Sequence, residues 1–121
     1  QERGVAFLTI YTVEAHPEDG WKLPHQYDAD EEFTSDDDFC FHYARSAKDR
    51  LAMAHWLVDK THFDWPLVVD SMDDTLMRAY NSWPIRLYVL RGSEVVFCGE
   101  QCPFGYDTRE VDRFLRQQKS L

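Results

Sequence analysis

Val5-Ala-Phe-Leu-Thr-Ile-Tyr-Thr-Val-Glu14-Ala-His16-Pro-Glu-Asp19-Gly20-Trp21 is the stretch on which the rest of the chain depends. Residues 5–13 are β-branched, aromatic and nearly free of polar alternation, the pattern of a strand buried on both faces. Pro17 and the Asp19-Gly20 pair end it. A strand that delivers a carboxylate and an imidazole at its carboxyl end suits an open α/β sheet, where ligands sit beyond the carboxyl ends of parallel strands.

Outward from that strand, residues 22–44 read as an acidic loop insertion. Seven carboxylates crowd into it: Asp28, Asp30, Glu31, Glu32, Asp36, Asp37 and Asp38. It lacks the glycine and terminal glutamate of a calcium-binding loop, so a solvated loop or a contact for a basic partner is the reading. A helix is predicted over 45–60. Ser46 is its N-cap, Asp49 its capping partner, and Leu51, Ala54, His55 and Val58 form one apolar face. Residues 66–70 read as a short buried strand, and Asp73 and Asp74 open a short helix over 73–81. Residues 85–91 and 94–98 form a hairpin about Gly92-Ser93. Residues 99–106 are a loop. Asp107 or Thr108 caps a closing helix to about 118, with Val111, Phe114 and Leu115 inward.

The composition bounds the function. At 121 residues the chain is one domain, and its net charge of −9 disfavours phosphate backbones and anionic membranes. No apolar run reaches the 18 or so residues of a membrane span. Cys40, Cys98 and Cys102 leave one thiol over in any pairing, which favours a reducing compartment. Cys98 and Cys102 have three residues between them, one more than a Cys-x-x-Cys redox pair, and read as two ordinary thiols. With Cys40 and His42 they match no usual zinc spacing. No metal and no cofactor is expected.

Pro84, ahead of strand 85–91, then a hairpin and a closing helix are the tail of a thioredoxin-like domain. The segment Glu14-Ala-His16-Pro-x-Asp19-Gly20-Trp21 narrows this, because it resembles the Glu-Ala-His-x-x-Asp-Gly-Trp signature of iodothyronine deiodinases. Asp49-Arg50-Leu51, Val68-Val69-Asp70-Ser71-Met72 and Pro84-x-Arg86-Leu87-Tyr88-Val89 fit the same family in order. So do Gly99, Pro103, Tyr106, Glu110, Val111 and Leu115.

The resemblance implies a thioredoxin-like α/β fold, a mixed sheet ending in the hairpin and closing helix. It implies reductive removal of iodide from an iodothyronine, with Glu14 and His16 handling protons. Trp21 and Pro84 would line the substrate cleft, Pro84 as the cis-proline of such folds. Against that stands a bland role for Glu14, His16 and Trp21 as a hydrogen-bonded strand end.

The departures are as informative. The family's nucleophile, a selenocysteine or cysteine, lies on a strand and helix preceding the equivalent of 5–13, and none of the three cysteines matches it. Where relatives have His-Arg before the second helix, this chain has Ala44-Arg45, with His42 two residues away. The fold is therefore expected to be a partial thioredoxin-like domain over 1–121, lacking its first strand and helix and not catalytic alone. The missing strand would be central, between 5–13 and 85–91. Another chain or segment, or a homodimer, would supply it. The alternative is a non-catalytic accessory subunit.

Overall fold

The computed structural model describes residues 4–17, 19–20 and 42–118. Trp21, Cys40 and the acidic insertion as far as residue 41 lie outside the described residues. The chain divides into two compact units, Gln1–Asp73 and Asp74–Leu121. The elements are β1 (Thr9–Tyr11), α1 (Ala47–Thr61), β2 (Leu67–Val69), α2 (Thr75–Tyr80), β3 (Tyr88–Arg91), β4 (Glu94–Cys98) and α3 (Thr108–Gln117). Helices and strands mix along the chain, so the α/β expectation holds.

In the first unit β1 and β2 run parallel, with Thr9 opposite Leu67 and Tyr11 opposite Val69. Thr9 N–H donates to Pro66 O at 2.9 Å, and Asp70 N–H donates to Tyr11 O at 2.8 Å. Backbone groups alternate sides along a strand, so Leu8 and Ile10 turn theirs to the opposite edge. Among the described residues no strand pairs with that edge.

This corrects the reading of 5–13 as one long strand buried on both faces. The ladder covers three residues, and Phe7, Leu8 and Val68 are 46%, 60% and 44% exposed. Burial on both faces requires neighbours on both edges and cover above and below. Here β1 has one neighbour.

Helix α1 begins where expected. The Ser46 hydroxyl accepts from Asp49 N–H at 3.1 Å, and the Asp49 carboxylate accepts from Arg45 N–H at 3.2 Å. These bonds satisfy donors that the first turn leaves open. Ser46→Ala is expected to lower stability by about 1 kcal/mol, read as a shift in urea midpoint.

The inward face of α1 differs from the predicted one. Leu51 is 48% exposed and His55 is exposed, whereas Arg50, Met53 and Ala54 are buried at 2%, 7% and 2%. The face has turned by one residue, about 100°. A periodicity count places arginine outside. Here a buried guanidinium with backbone partners takes the inward position, and the apolar residues follow it.

The second unit starts with α2, two residues later than predicted. Asp74 precedes it at φ 55° and makes no side-chain cap. Strands β3 and β4 join through Gly92-Ser93, with Arg91 opposite Glu94 and Tyr88 opposite Cys98, and a bulge between Val89 and Leu90. The ladder starts at Tyr88 rather than Ile85. Before it, Leu87 O accepts from Gly99 N–H at 2.9 Å and Ile85 O from Cys102 N–H at 3.1 Å.

Helix α3 packs on the hairpin through Phe114, whose ring lies 5.2 Å from that of Phe97. Asp107 caps it, accepting from Arg109 N–H at 2.9 Å and from the Arg109 guanidinium. The Arg109 side chain foremost, then its amide, hold the Asp107 carboxyl down at about 2 against an ordinary 3.8. A depressed carboxyl favours the folded state above the unfolded value, and the contribution disappears as pH falls through the folded one. Helical ellipticity is therefore expected to fall between about pH 4 and pH 2 from this group, and Asp107→Asn should remove that step.

Candidate functional site

The carboxyl edge of β1 collects the signature residues, and their hydrogen bonds explain the spacing. Glu14 is 7% exposed. Its Oε1 accepts from the Tyr11 hydroxyl and its Oε2 from Ala44 N–H, each at 3.2 Å. Asp19 accepts from Tyr43 N–H at 2.8 Å. Two carboxylates five residues apart thus hold two successive amides of the segment leading into α1.

Gly20 lies where that segment comes closest. A β-carbon there would stand 2.6 Å from the Tyr43 ring and 2.9 Å from buried Pro17. Gly20→Ala is expected to cost about 1–3 kcal/mol through overpacking. Combining it with Tyr43→Ala should recover part of the loss in urea denaturation.

The electrostatics follow from burial. Burial first, then the charge and hydrogen bond of Glu14, hold the Tyr11 phenol far above its ordinary range, with Arg50 opposing. Tyr11 therefore stays a donor throughout the neutral range. The Tyr43 amide foremost holds the Asp19 carboxyl below its usual value. His42 Nδ1 at 3.8 Å and Arg45 Nη2 at 3.5 Å also approach Asp19. Those side chains are 58% and 84% exposed, so the pairs contribute little to stability.

His16 is half-buried and takes φ 60°, a left-handed conformation. Such a backbone costs a residue with a β-carbon roughly 1–3 kcal/mol and collects at functional sites. Histidine is also the side chain suited to proton transfer near neutral pH.

Behind the strand end lies a connection the sequence did not reveal. Arg50 Nη1 donates to Ser71 O at 2.5 Å and to Asp70 O at 3.4 Å. Asp70 is 5% exposed and accepts from Ser71 N–H at 2.8 Å. A cation inside the Asp49-Arg50-Leu51 run was the available signal, but the helical period put Leu51, Ala54, His55 and Val58 inward and gave Arg50 no place among them. A cleft of about 400 Å³ opens beside this region, lined by His42, Tyr43, Ala44, Arg45, Asp49, Ala52 and Met53.

Pro84 belongs to the second unit, and the Trp83–Pro84 bond is cis. Gln101 Nε2 donates to Trp83 O, and Arg86 Nε donates to Gly99 O at 2.8 Å. The Arg86 guanidinium stands 5.6 Å over the Tyr88 ring, and the Tyr88 hydroxyl donates to Tyr80 O. These contacts tie the end of α2 to the hairpin.

Cys98 and Cys102 are free thiols. One is fixed opposite Tyr88 and the other at Ile85.

Trp21 lies outside the described residues. Of the four site residues called from sequence, Glu14 and His16 stand together at one strand end, and Pro84 sits in the other unit. Among the described residues no three His, Cys, Asp or Glu side chains gather as metal ligands, and no helix is long and apolar enough to cross a membrane.

Parallel strands joined through a helix, with a buried carboxylate and an imidazole at the strand end, define an α/β protein whose polar site lies at the strands' carboxyl edge. The chain belongs to the iodothyronine deiodinase family, whose family model matches residues 1–119. It is 34% identical over 114 residues to the thyroxine 5-deiodinase of Gallus gallus, covering 94% of this chain and 40% of that protein. To the thyroxine 5-deiodinase of Bos taurus it is 32% identical over 116 residues, covering 96% of this chain and 35% of the relative. The type I iodothyronine deiodinase of Xenopus laevis matches at 32% over 113 residues, covering 93% of this chain and 40% of the relative. The chain thus spans about two fifths of the length of such relatives, or less.

Proposed function

We propose that these residues form the proton-handling half of a reductive deiodination site for an iodothyronine, on a thioredoxin-like fold. The nucleophile belongs to a strand outside these 121 residues that pairs with the open edge of β1. The observation that carries this reading is the placement of Glu14. It is buried at the carboxyl end of β1, bonded to a protonated Tyr11, with His16 two residues on in a strained backbone. The order of α2, Pro84, hairpin and α3 supports the thioredoxin-like assignment. The names of the relatives support the substrate class.

In this reading a selenolate or thiolate attacks the iodine of the aryl iodide. The carbon–iodine bond breaks, the ring carbon keeps the electron pair, and a proton from His16 completes the carbon–hydrogen bond. A dithiol then returns two electrons to the iodinated nucleophile, forming a disulfide and releasing iodide. Glu14 orients the strand end and steadies the imidazolium, while Tyr11 fixes one Glu14 oxygen.

A second reading, an accessory subunit without catalysis, is favoured by one fact: both Glu14 oxygens already serve structural bonds, to Tyr11 and Ala44. The two are separated by measuring iodide release from an iodothyronine by the protein at its natural length, with a dithiol reductant. Release that depends on His16 supports the catalytic reading. Absence of release from folded protein leaves the accessory one.

A further inference from the structure

The elements around Glu14 close on one another. Arg50, on α1, donates to the carbonyls of Asp70 and Ser71 just beyond β2. Asp70 N–H donates to Tyr11 O on β1. The Tyr11 hydroxyl donates to Glu14, and Glu14 accepts from Ala44 N–H, two residues before the N-cap of α1. The circuit returns to the helix that carries Arg50.

Among the described residues the buried polar or charged side chains are Glu14, Arg50 and Asp70. Two carboxylates and one cation thus share the interior at the strands' carboxyl edge. Both carbonyls accept from the single Nη1 of Arg50, whose direction is fixed by the planar guanidinium and is not reproduced by a flexible ammonium. The circuit joins three elements, and each bond in it restrains the next.

We propose that Arg50 is a positioning residue for the Glu14 and His16 strand end, acting through Asp70, Tyr11 and Glu14 rather than by touching substrate. The proposal rests on the deiodination reading for the word site, but the geometry it asserts is testable without activity. Its loss loosens β2 from α1, then β1 from β2, and lastly the Glu14 bond to Ala44.

The test uses the protein at its natural length and the variants Arg50→Lys and Glu14→Gln. Amide hydrogen exchange at Ala44 reads the far end of the circuit, and exchange at Leu57 and Val58 reads α1 itself. Arg50→Lys keeps the charge and loses the planar group that aims Nη1 at the two carbonyls. Ala44 exchange is expected to rise by roughly tenfold or more through local opening, with Leu57 and Val58 unchanged. Where iodide release is measurable, Arg50→Lys should lower kcat about tenfold in the parent and less than about twofold in the Glu14→Gln background, since residues in one network do not act additively. Unchanged Ala44 exchange in folded Arg50→Lys overturns the proposal whatever the activity. Equal kcat losses in both backgrounds overturn it too. Absence of iodide release in every form, with Ala44 exchange raised, removes the deiodination reading and leaves the positioning geometry standing.

Discussion

His16→Asn in the protein at its natural length lowers the rate of iodide release by about 10²–10⁴-fold, the usual contribution of a positioned general acid. Asparagine isolates the proton transfer from the backbone. Histidine and asparagine both tolerate the left-handed region better than most residues, and His16 occupies it at φ 60°. The variant therefore keeps the turn and loses only the titratable ring. The fall is expected in kcat, with KM changed little, because the proton is given in the transition state. The unfolding midpoint should match the parent. His16→Ala is a poorer test, because it also disturbs the turn.

Arg50→Met has the largest expected effect on stability, about 3 kcal/mol or more. Methionine fills similar space but donates nothing. The carbonyls of Asp70 and Ser71 lose their guanidinium partner inside the protein. Glu14 and Asp70, 7% and 5% exposed, are left as the buried charged side chains among the described residues. Removing one member of a buried charged set leaves the others uncompensated, which is why the loss exceeds that of a surface pair. Urea denaturation should show a lower midpoint with an unchanged slope. A loss below about 1 kcal/mol, the size of an ordinary hydrogen bond, contradicts the role given to Arg50.

The sequence carried much of this architecture in local signals. Ser46 with Asp49 marked the start of α1, Gly92-Ser93 marked the hairpin, and Asp107 marked α3. Each is chemistry that acts within a few residues. The Glu14-to-Gly20 signature was also visible, but its reason was not. Tyr43 and Ala44, whose amides Asp19 and Glu14 hold, lie more than twenty residues along the chain. No local pattern links them.

The inward face of α1 was misread because periodicity counts a charged residue as exposed. Arg50 finds its carbonyl partners just beyond a strand that follows much later. The extent of β1 was misread for a related reason. An apolar run such as 5–13 declares that it wants neighbours on both sides. The described residues supply one, β2, and leave Leu8 and Ile10 turned to an open edge.

That edge offers the most direct test of the central claim, that these residues are half of a site completed by a strand from elsewhere. The measurement is amide hydrogen exchange at Ile10, compared between the 121-residue chain alone and the protein at its natural length. In the chain alone the Ile10 amide should exchange near the rate of an open strand edge. At natural length it should be slowed by about 10³-fold or more, as for an amide inside a stable sheet. Equal, fast exchange in both would show that no strand joins β1, and the half-site account would be wrong.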